Sequence, residues 1–530
     1  MRGFFEKVSR ILGKIIEKDY GVILQPPLWE LPQRQNFGDL SSMVALRLAS
    51  ELKKNPLEIA MHIEGALGRS LMGEIEKIEV LRPGFVNIFI SKKTLRTSLN
   101  EILQNKEDFF RNKLKKRVLI EYLSANPTGP LSIAHGRQAV VGDVIASVLD
   151  FFGNKVEREY YLNDEGNQIE LLIASVESRI KEIRGENFTF PENGYKGEYI
   201  RSVAEEFIKK GSSNIRDFTL THIISLINKD LLSLGIKFDN WFSQKKLLKE
   251  GKVEEAINIL RKKGLIYDKE GAMWFSATKY GDDKDRVIKK ADGELTYFAS
   301  DIAYHKDKIS RKHDKLINLW GPDHHGYIKR VKTALTALGY KEEILKVVII
   351  QLVTLKTKER MSKRAGTFVL LSDLIKDVGK DATRFYYLMR KNSSHLEFDL
   401  DLAKETSFDN PLYYIQYVCA RIESIFRKAE VNSFDPNYTA YLQEEEEFKL
   451  LRLVLQFFNC LDKTYYSLEP VFIIEFLKNL ASSFHKFYEK VRVIDTDENI
   501  TKARLNLLQG VKVVFYCGLG ILGIKPAKKM

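Results

Sequence analysis

Apolar residues gather into short runs bounded by polar corners through the middle of the chain, and into helical stripes towards its C-terminal end. Val118, Leu119 and Ile120 form the continuous run that a strand buried on both faces requires. Asn126, Pro127, Thr128, Gly129 and Pro130 then interrupt regular structure. Beyond Gly136 the apolar residues Val141, Val144, Ile145, Val148, Leu149 and Phe152 recur at the spacing of one helical face. A buried strand thus delivers the chain through a rigid loop to a helix N-terminus, where unpaired amides and the positive end of the helix dipole suit a phosphate. His135 lies at that point. The same run-then-corner pattern returns at EREYYLNDEGNQIELL, where Asn163, Asp164 and Gln168 occupy the corner, at KLINLWGPDHHG, and at VVIIQLVTL, read as one strand. It predicts a mostly parallel sheet with helices on its faces, and Asp292 with Gly293 marks a hairpin turn. Any α/β domain has such junctions, so the geometry alone names no function.

Outside this core the pattern changes. Residues 1–116 read as a small α/β module: an opening amphipathic helix, the segment NFGDLSSMVALRLA with Asp39 expected as a helix N-cap, and RPGFVNIFI as a turn and strand. Residues from about 170 to 290 are charged and mostly helical in pattern, an expected insertion into a domain spanning 117–407. Beyond Phe408 the strand signals fade. Ile415, Val418, Ile422 and Ile425 form one helical stripe, the EEEE run reads as a solvated helix face, and residues 408–530 are expected to form a helical bundle. The fold class is therefore multidomain α/β: a Rossmann-like parallel-sheet domain between an N-terminal α/β module and a C-terminal α-helical bundle.

At 530 residues the chain exceeds what one hydrophobic core supports, which agrees with several domains. Lysine and arginine number 84 against 71 acidic residues, and the net charge of +13 favours a polyanionic partner, nucleic acid or an acidic membrane surface. Cys419, Cys460 and Cys517 are isolated and odd in number, so neither a disulfide framework nor a cysteine zinc site is expected. The longest apolar run, Val513 to Ile524, is too short to span a bilayer. These features lead us to expect a soluble cytoplasmic protein.

Three segments carry candidate chemistry. In SIAHGR, Ser132 to Arg137, a protonated or hydrogen-bonding His135 can stabilise charge developing on a phosphoryl group. In KTKERMSKRAGTF, Lys356, Lys358, Arg360, Lys363 and Arg364 concentrate positive charge after a strand. Such a loop suits closure over a triphosphate or nonspecific phosphate contact, and composition leaves these even. Tyr414, Tyr417 and Arg421 lie on one helix face, a grouping that suits base stacking, although spacing alone favours core packing.

SIAHGR resembles the HIGH signature, and RMSKR the KMSKS signature, of class I aminoacyl-tRNA synthetases. Longer strings, EYLSANPTGPL, EREYYLNDEGNQI, MSKRAGTFVLLSDLI, FDLDLA, NPLYYIQY and ILGIKPAKKM, resemble arginyl-tRNA synthetases of the bacterial type, and the matches are spread from about Asn36 to Met530. The resemblance implies ATP-dependent activation of L-arginine to arginyl-adenylate, with Mg2+ accompanying ATP and no structural metal. It also implies transfer of the arginyl group to the cognate tRNA, and activation that depends on that tRNA. It implies a monomer that binds no membrane. By the same resemblance Ser132, Ala134, His135, Arg360, Met361, Ser362 and Lys363 bind ATP, with His135, Lys363 and Ser132 catalytic. Glu121, Tyr297, Asp301 and His324 line the arginine pocket, with Asp301 and Tyr297 at the guanidinium and Asn126 on the α-amino group. Tyr414, Tyr417 and Arg421 fall to tRNA.

The chain departs from the pattern at Ser132, in the first His position of HIGH, and at Ala134, in its Gly position. A hydroxyl donates to phosphate but carries no positive charge at neutral pH. Arg360 and Arg364 replace the first Lys and final Ser of KMSKS, which keeps charge but alters geometry. Two other readings follow: a tRNA-binding paralogue that has lost activation, for which Ser132 is the one argument, and a class I synthetase for another amino acid, against which the acidic Asp301 speaks.

Overall fold

The run Val118–Ile120 becomes the middle strand of a five-stranded, wholly parallel sheet. The order across the sheet is Leu345–Ile349, Lys315–Trp320, Arg117–Glu121, Lys155–Leu162 and Asn240–Ser243. The chain builds outward in one direction from Arg117–Glu121 through the second and third strands, then returns to lay the last two on the other side. The order therefore reverses between Arg117–Glu121 and Lys315–Trp320, and ligands of open α/β sheets bind beyond the strand ends at such a reversal. Its central strand is buried because helices cover both faces. Gly142 of the Ile133–Phe151 helix admits the Tyr122 ring, to which an added Cβ would come within 2.2 Å.

The computed structural model describes residues 3–24, 26–30, 32, 37–356, 369–431 and 433–530. The sheet belongs to a compact unit formed by Leu114–Asp150 and Asn154–Ala403. Register places Asn318, Glu121, Glu159 and Asn240 side by side, one on each of four adjacent strands. Paired residues of a parallel sheet share a face, so these four form a polar row within an otherwise apolar layer.

One strand reading is revised here. VVIIQLVTL is two strands: Leu345–Ile349 joins the main sheet, whereas Val353–Lys356 pairs in parallel with Leu396–Asp399. The break follows from Arg137, fully buried, whose guanidinium donates to the carbonyls of Gln351 (2.9 Å), Ser394 (2.8 Å) and Lys391 (2.9 Å) and so turns the chain aside. The stretch 170–290 is mostly helical, as its pattern indicates. Beside the helices Glu198–Lys210 and Ile215–Ser233 it supplies the edge strand Asn240–Ser243 and a three-stranded antiparallel sheet, Ile266–Lys269, Ala272–Phe275 and Arg286–Lys289. The hairpin signal holds, with Gly293 at φ 89° and Lys289 bridged to Leu295.

The second compact unit comprises Met1–Lys113, Phe151–Gly153 and Lys404–Met530. Its N-terminal part carries the helix Gly3–Tyr20 and an antiparallel sheet ordered Leu40–Ser42, Phe85–Ile90, Ile75–Leu81. Its C-terminal part is a bundle that includes the helices Pro411–Lys428, Glu445–Leu455, Val471–Lys490 and Glu498–Ile521. The two parts share a core: Phe5 and Phe109 pack on Phe458 (5.4 and 5.0 Å between ring centroids), Phe110 on Phe457 (5.2 Å). Asp39 caps no helix. The helix Val44–Leu52 starts later, and the buried Asp39 accepts from the Ile90 amide (2.7 Å) and pairs with Arg452 (3.1 Å). Nor is the glutamate run simply solvated. Glu447 is buried against Arg504 (2.7 Å) and closes a capping box with Glu444. Among the described residues no helix is long and apolar enough to cross a membrane.

Candidate active site

Two corners meet the sheet at its order reversal. The first follows Arg117–Glu121. Leu123 and Ser124 sit at φ 71° and 41°, a left-handed backbone that non-glycine residues adopt at a cost and that clusters at functional sites. The surrounding chain holds it: the Tyr160 hydroxyl donates to the Ala125 carbonyl (2.7 Å) and that of Tyr199 to Thr128 (2.8 Å). The Tyr199 ring lies 3.0 Å from where a Cβ on Gly129 would stand, so a larger residue there would push that ring aside. The helix then begins at Ile133, and its entrance is fastened to the segment 369–371 by Ile133 N–H to Val369 (3.2 Å) and Leu371 N–H to Leu131 (2.9 Å).

His135 occupies the first turn. Its Nδ1 accepts from the Ser132 amide at 3.1 Å and lies 3.1 Å from the Ser132 hydroxyl. An amide N–H can only donate, so Nδ1 is bare and the ring proton resides on Nε2. Burial lowers the pKa of this imidazole, which makes it a neutral hydrogen-bond donor and not an imidazolium. Ser132 thus orients the histidine through its own backbone and hydroxyl. Ala134 is half-buried beside it, and at Gly136 a Cβ would meet Leu371 at 2.6 Å and the Tyr387 hydroxyl at 2.7 Å. Arg360, Met361, Ser362 and Lys363, with Lys358 and Arg364, lie outside the described residues; Lys356 just before them pairs with Asp399 (3.1 Å).

The second corner is acidic. Thr296 caps the helix Tyr297–Ser310, its hydroxyl accepting from the Ala299 amide (3.4 Å). One turn on, the half-buried Asp301 accepts from the Tyr327 hydroxyl at 2.5 Å. Burial pushes its carboxyl up to about 7, the Tyr327 hydrogen bond opposes that rise, and the Glu121 charge adds to it. Glu121 is itself buried at the strand end, where it accepts from Lys308 and from the Ser124 hydroxyl (3.1 Å).

Tyr297 is 67% exposed, and the phenol hydrogen-bonded to Asp301 is that of Tyr327. Tyr327 was not singled out from sequence, since nothing in GPDHHGY ties it to a carboxylate 26 residues earlier. His324 is exposed, its ring 6.3 Å from that of Tyr327 and 5.9 Å from that of Trp320. Exposed Asn126 donates to Gln168 (2.7 Å) and accepts from Asn163 (3.2 Å), which joins the two polar corners. Asp164 is structural, accepting from the Ser243 hydroxyl (2.6 Å) and the Lys245 amide (2.9 Å). Among the described residues no group of three or more His, Cys, Asp or Glu side chains is placed to hold a metal ion.

In the other unit the stripe Ile415, Val418, Ile422 and Ile425 is buried, and Tyr414, Tyr417 and Arg421 stand half-exposed on the adjoining face of the same helix. His485, also unflagged by the sequence, lies between them, 4.7 Å from the Tyr414 ring and 5.8 Å from Tyr417, and exposed Phe408 packs edge-on at 5.0 Å from Tyr417. Arg421 lies over the rings of Tyr417 and Tyr488. The result is an aromatic and cationic surface suited to stacking.

A reversed parallel sheet with a helix-entrance histidine and an acidic corner is the catalytic fold of the class I aminoacyl-tRNA synthetases. Residues 98–401 match the family profile described as tRNA synthetases class I (R), catalytic domain. Residues 6–90 match the arginyl tRNA synthetase N terminal domain, and 415–530 the DALR anticodon binding domain. The chain is 40% identical to the arginine--tRNA ligase of Carboxydothermus hydrogenoformans, over 94% of each chain, and 38% identical to that of Thermotoga maritima, over 99% of each. Its fold is similar to that of the Thermus thermophilus arginyl-tRNA synthetase, at 20% identity and a TM-score of 0.81, with 99% of this chain and 100% of that one covered. The chain belongs to the arginyl-tRNA synthetase family.

Proposed function

We infer that this chain uses ATP to convert L-arginine to arginyl-adenylate and then transfers the arginyl group to the 3′-terminal adenosine of its cognate tRNA. Asp301 carries this reading within the site. It is a largely enclosed carboxylate beside the sheet reversal, and among the described residues no lysine or arginine pairs with it. A planar guanidinium is the cation that best matches a carboxylate there.

On this reading Asp301 and Tyr297 meet the guanidinium, Glu121 and His324 line the pocket, Tyr327 orients Asp301, and Asn126 holds the α-amino group. ATP enters as its Mg2+ complex, and that ion supplies charge neutralisation to the phosphates. His135 donates from Nε2 to a phosphate oxygen, Ser132 sets its tautomer, and Ala134 borders the adenine. Arg360, Met361, Ser362 and Lys363 act on the triphosphate as charge passes to pyrophosphate. Tyr414, Tyr417 and Arg421 contact tRNA. The segments divide as 1–116 for tRNA contact, 117–407 for catalysis with 170–290 inserted, and 408–530 for the anticodon. We assign a monomer working in the cytoplasm.

The test is ATP/pyrophosphate exchange with each amino acid, with and without cognate tRNA. Exchange that requires arginine and appears with tRNA is expected; no exchange under any condition, with tRNA binding intact, would overturn the reading. Asp301→Ala should cripple arginine use far more than ATP binding, and equal loss of both would count against the pocket. Lys363→Ala should slow adenylate formation with tRNA affinity largely retained; an unchanged rate removes that residue from the mechanism.

A further inference from the structure

Three carboxylates lie between the sheet and the helix Tyr297–Ser310: the neighbours Glu121 and Glu159 from the polar row, and Asp301 from the helix itself, which feels the Glu121 charge. Two cations come from the far end of the same helix, three positions apart. Arg311 takes Glu159 with two hydrogen bonds, 2.6 and 2.9 Å. Lys308, fully buried, takes Glu121. Its ammonium also donates to Asn318 Oδ1 (3.0 Å) and lies 4.2 Å from the Tyr304 ring centroid. Arg311 also reaches Glu157 (3.0 Å) and Asp307 (3.3 Å), whereas Asp301 forms no ion pair among the described residues.

The hydrogen bonds continue past Lys308. Asn318 Nδ2 donates to His305 Nε2 (2.9 Å), and His305 Nδ1 donates to the Asp301 carbonyl (2.8 Å). Lys308 is therefore tied at one end to the Glu121 carboxylate and at the other to the helical turn that carries Asp301. Every side chain in this chain of contacts is buried, which makes its geometry stiff and its charges strongly felt.

We propose that Lys308 is a positioning residue for arginine selection: it cancels and fixes Glu121, so that the pocket presents a single uncompensated carboxylate, Asp301, to a substrate of one positive charge. The proposal rests on the arginine-pocket reading given above. A pocket with two uncompensated carboxylates would retain a proton on one of them and would meet a guanidinium with altered geometry. Lysine suits the role because a compact ammonium reaches both oxygen acceptors without needing the planar fork of arginine.

The pH dependence of arginine use reads out this balance. Among the buried groups around Asp301, burial holds the phenols of Tyr327 and Tyr161 well above their usual range and His305 down to about 3. Arg330 lies over the Tyr327 ring, and exposed His324 neighbours the same ring.

The experiment is tRNA-dependent ATP/pyrophosphate exchange by the full chain across pH 5.5–9, with arginine varied. Lys308→Met should move the acid limb of kcat/KM for arginine up by about one pH unit and raise the arginine KM about tenfold, with the ATP KM within about twofold of wild type. Glu121→Gln should move the limb the other way, because Lys308 is then unopposed, and the double variant should return it to within about 0.3 unit. A limb that stays fixed in Lys308→Met, or a double variant whose limb stays displaced as far as in Lys308→Met alone, overturns the proposal. If circular dichroism shows Lys308→Met unfolded, the downward shift in Glu121→Gln decides, and its absence is equally fatal. Asp301→Asn separates the two claims. If it keeps wild-type arginine kinetics and the acid limb, the pocket reading fails; if it abolishes the limb while Lys308→Met leaves it in place, only the role of Lys308 fails.

Discussion

Burial pushes the Asp301 carboxyl up to about 7, so near neutrality a large part of the substrate-free protein carries a proton on the carboxyl that we propose for the arginine guanidinium. The sign follows directly: a guanidinium favours the ionised form, so binding expels the proton, and affinity falls as pH drops below about 7. The arginine KM should rise about tenfold between pH 8 and pH 6, and binding heats measured in buffers of different ionisation enthalpy should reveal proton release. An arginine KM flat over that range would contradict the protonated state of Asp301. His135 behaves differently. Its Nδ1 is occupied by the Ser132 amide and burial disfavours its charge, so it works as a neutral donor, and its contribution should not fade as pH rises through the usual imidazole range. Ser132→Ala removes only the hydroxyl and leaves the amide bond that sets the tautomer. It should slow adenylate formation about threefold to tenfold, in keeping with one neutral hydrogen bond. A loss of a thousandfold would assign the hydroxyl a direct part in catalysis. The candidate residues at the strand ends were legible because chemistry and a polar corner coincide there. Tyr327 and Lys308 were not, since each acts across the fold on a residue 26 or 187 positions away.

At the scale of elements, continuous apolar runs marked the buried strands Arg117–Glu121 and Lys315–Trp320 unambiguously, because strands covered on both faces admit little else. The edge strand Asn240–Ser243 escaped notice because it has four residues, none fully buried. The split of VVIIQLVTL also lay beyond a local reading, for its cause is Arg137, 214 residues earlier. That guanidinium satisfies three carbonyls at once, so Arg137→Met should cost on the order of 3 kcal/mol or more in urea unfolding. Hydrogen exchange should rise first in Val353–Lys356 and Leu396–Asp399, the pair of strands that Arg137 holds in place. Uniform loosening across the unit would instead assign Arg137 a general packing role.

At the scale of the whole molecule, the Asp39–Arg452 pair joins the N-terminal module to the helical bundle inside one compact unit. Burial raises the Asp39 carboxyl to about 6, with the Ile90 amide and Arg452 holding it down. A raised carboxylate pKa means that the native state holds a proton the unfolded chain releases. Its contribution to stability is therefore best in acid and is lost as pH rises through about 6, a penalty on the order of 3 kcal/mol above neutrality. Removing Arg452 deepens that penalty only where Asp39 is ionised. Arg452→Met should lower the denaturation midpoint clearly at pH 8 and little at pH 5, and equal losses at both would sink the assignment. The aromatic core that Phe5, Phe109 and Phe110 share with Phe457 and Phe458 acts on a different axis, that of time. During synthesis at about 5–20 residues per second, the second half of this core leaves the ribosome roughly 20–70 s after the first. The module spends that interval with a wet aromatic face, a client for holding factors, whereas a full-length chain refolding in solution has both halves at hand from the start.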